Sequence, residues 1–260
     1  MKVWTVCVAL LGTVVLTYAL PADAYEKFWD HWGDGRAELA SYDLEIQRYG
    51  ETRSGTAVAI FVTETFANSL RVKSDPGRRS ADDEFPVMKL NLVQDFPTGI
   101  SDYNLMTSVF VALEPANGRP AGTATKVTFS SQEWCGQVWH QLLFDSDRVR
   151  EESFSYFDGE ADQSRVLEFP AGGISEDELL LWARGLAGPD VMPGSPVTVP
   201  LLRSLEWARL RHHELEWTTV ELIVGDVARE ITVPAGTFVA REHTARLAGG
   251  PTWTFEIEDR

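Results

Sequence analysis

The sequence predicts a mainly β fold, namely a single twisted antiparallel sheet or a half-barrel with one helix across its concave face. Apolar and polar residues alternate with a period of two in many segments, as they do in strands with one buried face. Short turn sequences separate these segments and leave no room for the helix that follows nearly every strand in a parallel α/β fold. One segment alone carries both the start and the stop signals of a helix.

The alternating segments are predicted to form an antiparallel meander. Residues 51–55 are expected to be the hairpin loop between the first two strands, and Asp145-Ser146-Asp147 the turn of a later hairpin. The predicted strands cover residues 42–46, 58–62, 88–92, 105–113, 125–132, 138–144, 149–157, 220–224, 231–233, 239–241 and 253–257.

The helix is predicted over residues 175–187. Ser175 and Glu178 have the spacing of a capping box, and Gly188-Pro189 is expected to end the helix. A second helical segment is expected within residues 201–214. The apolar stripe that should pack on the sheet consists of Leu179, Trp182 and Leu186.

The N-terminus has the order of a secretory signal peptide. Met1-Lys2 is basic, residues 3–20 are apolar and uncharged, and residues 22–24 form an A-x-A cleavage site. Cleavage after Ala24 is expected to leave residues 25–260 as a single β-rich domain in the periplasm, without a stable membrane span. The alternative is an uncleaved segment that anchors the chain in the inner membrane, because the apolar run is just long enough to cross a bilayer.

Charge and cysteine content restrict the partners. The formal net charge is −16, which disfavours nucleic acid as a partner because its binding requires basic patches. Cleavage would remove Cys7 and leave Cys135 as the sole cysteine, so no internal disulfide is expected even in an oxidising compartment.

Cys135 and His140 are the candidate catalytic residues. A Cys–His pair can form an activated thiolate, but the odd spacing places the two on opposite faces of a strand unless the chain turns at Gly136. The competing interpretation is a buried, inert thiol packed between Trp134 and Trp139. The buried, inert thiol is the favoured interpretation.

The nine tryptophans suit either a packed core or an aromatic-lined concavity for an apolar or sugar-like ligand. Core packing is the favoured interpretation; Trp134, Trp139 and Trp182 are the candidate ligand-binding residues. No metal site is expected, because none of the five histidines has the i, i+4 spacing of a helical chelate. Phosphate-loop and nucleophile-elbow motifs are likewise absent from the sequence, and no cofactor is expected.

Several segments resemble known families. H-W-G-D-G-R-A-E-L-A-S-Y-D-L (31–44), S-S-Q-E-W-C-G-Q (130–137) and R-L-R-H-H (209–213) resemble a group of uncharacterised exported bacterial proteins. V-P-A-G-T-F-V-A (233–240) is similar to a periplasmic domain of unknown function, and this similarity implies the curved sheet and helix of outer-membrane lipoprotein carriers. Neither family has established catalytic residues, so the resemblance assigns no site.

The sequence therefore leads to two hypotheses from different classes. The first is a non-catalytic envelope protein that binds an apolar ligand, such as a lipid, or an envelope partner through its curved sheet. The alternative is an enzyme that uses Cys135 or a histidine and carboxylate cluster assembled by the fold.

Overall fold

The computed structural model describes residues 28–258 and contains two β-sheets with a few short helices between them. The mainly β, half-barrel fold class is confirmed, although the strands divide into two sheets rather than one. The predicted signal peptide, residues 1–24, lies outside the described residues.

The larger sheet is an antiparallel meander in which strands adjacent in sequence pair with each other. Strand β3 alone leaves this path and pairs with the end of β2. Its strands are β1 (Glu38–Arg48), β2 (Glu51–Ala67), β3 (Val72–Lys73), β4 (Glu84–Pro97), β5 (Asp102–Ala112), β6 (Ala124–Glu133), β7 (Gly136–Phe144), β8 (Arg148–Ser155) and β9 (Gln163–Glu168).

The smaller sheet curls into a half-barrel. Its first two strands pair in parallel and the others are antiparallel. Its strands are β10 (Ile174–Ser175), β11 (Val197–Leu202), β12 (Trp217–Val233), β13 (Gly236–Leu247) and β14 (Thr252–Glu258). The labelled helices are α1 (Leu179–Ala183) and α2 (Leu205–Arg211), with 3-10 turns at Ala81–Asp83 and Glu176–Glu178; residues 28–32 are also helical.

One apolar cluster fills the space between the sheets. Phe61 and Phe129 contribute from the larger sheet, Leu201 and Leu222 from the smaller one, and Leu181 from α1, and each of these side chains is fully buried. The face of the larger sheet that packs on this cluster is its inner face. Because side chains occupy the concave space, this part of the curved sheet is core rather than a cavity.

The capping box that starts the helical segment is confirmed. The Ser175 amide donates to Glu178 Oε2 at 2.7 Å, and the Ser175 hydroxyl accepts from the Asp177 amide. The helix ends earlier than the predicted stop at Gly188-Pro189, because α1 ends in a Schellman motif in which Gly185 adopts a left-handed φ of 69°. The Gly185 and Leu186 amides donate to the carbonyls of Trp182 and Leu181 there, each at 2.9 Å.

Two further boundaries differ from the predicted ones. The first hairpin turns through Tyr49-Gly50, whose φ values are 55° and 77°, and residues 51–55 already pair with β1. A two-residue turn with two positive φ angles matches the twist of the strands it joins. The segment 201–214 begins as strand β11, and α2 starts only after Ser204, whose hydroxyl accepts from the Trp207 amide at 3.1 Å.

Candidate functional site

Cys135 lies in an exposed turn, so the prediction that its thiol is packed between Trp134 and Trp139 is wrong. Glu133 and Gly136 form the last pair of strands β6 and β7, which leaves Trp134-Cys135 as the two residues of the hairpin turn. A side chain at the tip of such a turn has no neighbouring strand to cover it.

The structure does not bring Cys135 and His140 together. His140 is buried on the inner face of β7, four residues after the strand begins, which corresponds to roughly 13 Å along the strand. Its Nε2 atom instead lies 2.8 Å from Glu151 Oε1 on β8. A thiolate–imidazole pair is therefore not formed between these two residues.

A small cleft opens beside His140, where the inner faces of β7, β8 and β9 meet the end of α2. We call it the charged cleft, and its volume is about 70 Å³. Its polar lining consists of His140, Glu151, Ser153, Glu160, Gln163, Arg165, Arg209, His212, His213 and Glu214.

Glu151 is the most deeply buried acid of the charged cleft. Arg165, which lies opposite Glu151 on β9, donates from Nε and Nη2 to its two oxygens, each at 2.9 Å. Burial by itself raises the pKa of Glu151, but the hydrogen bonds from His140 and Arg165 outweigh burial and lower that pKa. Glu151 therefore remains ionised and orients the His140 ring rather than acting as a proton donor.

Arg209 of α2 forms the floor of the charged cleft with only 1% of its side chain exposed. Its Nη2 donates to Glu133 Oε1 at 2.6 Å, and its guanidinium carbon lies 3.7 Å from the centre of the Phe157 ring. Its Nε and Nη1 atoms are buried and have no hydrogen-bond acceptor among residues 28–258. Two donors of a buried cation thus remain unsatisfied beside an open cleft.

The loop after β8 closes one side of the charged cleft through Glu160. One of its oxygens lies 2.5 Å from His212 Nδ1, and the other lies 3.9 Å from Arg209 Nε, beyond hydrogen-bonding distance. The Ser153 hydroxyl donates to the Glu160 carbonyl at 3.2 Å. Because that proton is used by a backbone carbonyl, the hydroxyl of Ser153, which lies opposite His140 in the register of β7 and β8, is not paired with His140 as a nucleophile would be.

A larger, shallower cleft of about 590 Å³ lies on the outer side of strands β6, β7 and β8. We call it the aromatic cleft because Trp139, Phe154 and Tyr156 line it and remain 38%, 56% and 70% exposed. Its remaining lining consists of Ser130, Ser131, Gln132, Gln137, Val138, Ser155 and Asp162.

Strand register arranges the aromatic cleft in two rows. Trp139 pairs with Phe154 on β8, with ring centres 5.9 Å apart, and on its other side with Ser130 on β6. In the second row Gln137 pairs with Gln132, and its carbonyl accepts from the Tyr156 amide at 3.1 Å. Side chains two residues apart point to the same face of a strand, so Gln132 and Gln137 face outward with Ser130 and Trp139. Tyr156 follows the end of β8, and its ring lies beside Gly136 at the end of the cleft.

The three candidate tryptophans have different environments. Trp139 lines the aromatic cleft, and Trp134 stands exposed at the turn beside it. Trp182 is buried in the core, where its indole N–H donates to the Pro189 carbonyl at 3.1 Å. The core therefore accounts for Trp182, whereas Trp139 is available to a ligand.

Acidic side chains also meet where α1 and α2 begin. Asp177 Oδ2 accepts from the Leu205 amide at 3.3 Å, and Glu176 pairs with Arg203 at 2.6 Å. Burial, and then the charge of Glu176, raise the pKa of Asp177 to about 8 and that of Glu206 to about 7. These contacts join the starts of the two helices and make this junction sensitive to pH.

No protein-family model matches the chain, and neither the curated proteins nor the solved structures contain a significant match. Among residues 28–258, no helix has the length and apolar character needed to cross a bilayer. Within that same range, no group of three or more histidine, cysteine or acidic side chains is placed to hold a metal ion.

Several cleft residues were missed by sequence reasoning. Glu151 and Arg165 follow His140 on successive strands, so hairpin register was the signal that could have connected them. Arg209 lies within the R-L-R-H-H segment but reaches Glu133 from 76 residues away. No local sequence pattern predicts a contact between residues that are so far apart in the chain.

Proposed function

We propose that this chain is a non-catalytic binding protein of the bacterial envelope and that the aromatic cleft binds a neutral glycan. The observation that carries the proposal is the outward-facing row of Trp139 and Phe154, extended by Tyr156. Rings exposed side by side on a sheet face cost hydration free energy unless a ligand covers them. A contiguous aromatic surface is therefore the best-supported binding surface of the molecule.

The polar neighbours of the rings favour a sugar over a lipid. Ser130, Gln132 and Gln137 offer hydroxyl and amide groups, which both donate and accept hydrogen bonds. Asp162 is the sole charged residue among those that line the cleft. A pyranose has an apolar C–H face that stacks on an aromatic ring and hydroxyl groups at its edge, and it matches this combination.

The dimensions of the two rows suit an oligosaccharide rather than a single small molecule. Neighbouring strands are about 4.8 Å apart, and same-face residues on one strand are separated by roughly 7 Å. Trp139 and Phe154 thus provide adjacent stacking positions across the strands, and Tyr156 adds a third ring at the end of the cleft. The cleft is also open at the surface, as a polymer requires.

A lipid carried inside the curved sheet is less well supported. The apolar residues that would line such a channel, including Leu179, Leu181 and Trp182 of α1, are packed in the core between the two sheets. Periplasmic location, with cleavage after Ala24, remains part of the proposal, since the N-terminal sequence has the required order.

The proposal is tested by nuclear magnetic resonance on residues 25–260, with tetramers of glucose and of N-acetylglucosamine as ligands. We expect at least one tetramer to shift the indole N–H signal of Trp139 and the amide signals of residues 130–139 and 154–156. The indole signal of the buried Trp182 should stay unchanged and acts as an internal control. Absence of saturable shifts with either tetramer, or shifts confined to other surfaces, would contradict the proposal.

A further inference from the structure

The charged cleft has the features of a second, independent binding site. Its floor is the guanidinium of Arg209, whose Nε and Nη1 donors are buried and lack acceptors in the described part of the chain. Buried donors are nearly always satisfied in folded proteins, and an unsatisfied one is destabilising. An unsatisfied arginine at the base of an open cleft therefore points to a ligand that brings oxygen acceptors.

The charges around the charged cleft define what kind of ligand fits. Arg165 and Arg209 face four carboxylates, those of Glu133, Glu151, Glu160 and Glu214. Three histidines, His140, His212 and His213, complete the titratable lining. With the histidines neutral the carboxylates outnumber the arginines, so a simple anion would be repelled while a ligand without net charge would not.

We propose that the charged cleft binds a small zwitterion of the α-amino-acid type, with its carboxylate on Arg209 and its ammonium on Glu160. Glu133 already occupies Nη2 of Arg209, and Nε and Nη1 lie at different corners of the guanidinium. The ligand carboxylate is assigned to Nη1, which has less than 1 Å² of accessible surface in this structure, so the side chains around the floor of the cleft have to move apart on binding. Glu160, which lies 3.9 Å from Nε and is 22% exposed, is the acid best placed to accept from the ammonium.

The size of the charged cleft limits the ligand. A volume of about 70 Å³ holds about five or six water molecules, which is similar to glycine or alanine. Phe157 covers one face of the Arg209 guanidinium, and Glu151 holds Arg165 in place at the side. Larger side chains have to extend outward through the open side of the cleft.

Titration calorimetry on residues 25–260 tests this site with glycine, L-alanine and D-alanine. Acetate, which carries only the carboxylate, and methylammonium, which carries only the ammonium group, serve as half-ligands. We expect at least one amino acid to bind, and each half-ligand to bind at least about tenfold more weakly, since each satisfies only one charged partner. Acetate binding as tightly as the amino acids, or no saturable binding by any of the three amino acids, would overturn the proposal.

Two variants locate the site. Arg209→Lys and Glu160→Gln should each weaken amino-acid binding at least about tenfold, because each removes a charged hydrogen bond to the ligand. Glu160→Gln is the safer variant for folding, since Glu160 lies on a loop and Arg209 is part of a buried ion pair. Glu152→Gln, on the outer face of β8, is the matched control and should bind normally. Unchanged affinity in Glu160→Gln would contradict the site.

Discussion

The ring of Tyr156 occupies the space beside Gly136 in which any other residue would carry its Cβ atom. A Cβ at position 136 would lie 2.4 Å from Cγ and Cδ1 of that ring, far inside van der Waals contact. Gly136 therefore does more than begin strand β7 after the turn. It lets Tyr156 lie against the backbone at the edge of the aromatic cleft.

Gly136→Ala should displace Tyr156 and destabilise the protein by about 1–3 kcal/mol, the usual cost of forcing an atom into occupied space. Chemical denaturation measures the change. Gln137→Ala, at the exposed neighbouring position, is the control and should stay within about 0.5 kcal/mol of the parent. Equal stability of Gly136→Ala and the parent would show that Tyr156 does not lie there.

Cys135 should react with a small thiol reagent in the native protein as fast as in the unfolded protein. It lies exposed in the turn between β6 and β7, so no unfolding is needed to reach it. For the same reason Cys135→Ser should change the free energy of unfolding by less than about 0.5 kcal/mol. A thiol that reacts only after denaturant is added would contradict this placement.

Asp177 should make stability fall with rising pH. Its folded-state pKa of about 8 lies above the ordinary value of 3.8, so the folded chain binds this proton more tightly than the unfolded chain. The contribution of Asp177 to the free energy of unfolding therefore decreases between about pH 4 and pH 8 and is level above that range.

Asp177→Asn keeps the hydrogen-bond acceptor and removes the charge. The difference in unfolding free energy, variant minus parent, should be near zero at pH 4 and grow by up to about 1.4 kcal/mol per pH unit toward pH 8. Asp43→Asn, at an exposed position on β1, should show no such trend. Parallel pH profiles for Asp177→Asn and the parent would be inconsistent with a raised pKa.

Export should yield a mature chain that begins at Tyr25. The basic start, the apolar run and the A-x-A site motivate this expectation. N-terminal sequencing of protein from the cell envelope measures it directly. A chain that retains Met1 and fractionates with the inner membrane would support the uncleaved anchor instead.

Local patterns predicted the fold where neighbours in sequence decide the structure. The hairpin through Asp145-Ser146-Asp147 joins β7 to β8 as expected, and the capping box of Ser175 and Glu178 starts the helical segment. The stop at Gly185 was missed because Gly188-Pro189 is the stronger sequence signal, although a left-handed glycine suffices to end a helix.

The candidate sites depended on information that local patterns do not contain. Cys135 was expected to be buried because free cysteines usually are, but a two-residue turn placed it in solvent. Arg209 is a candidate because α2 brings it to Glu133 of β6, a contact between residues far apart in the sequence. The aromatic cleft likewise needed the register that sets Trp139 opposite Phe154.

The most direct test of the proposed glycan function is the affinity of Phe154→Ala for the tetramer that shifts the Trp139 signal. Loss of an exposed ring that stacks on the ligand should weaken binding at least about tenfold. The matched control is Tyr42→Ala, which removes a similarly exposed ring (49%, against 56% for Phe154) from strand β1 at the other edge of the sheet. The account predicts a large loss in Phe154→Ala and none in Tyr42→Ala; equal affinities of the two variants would contradict it.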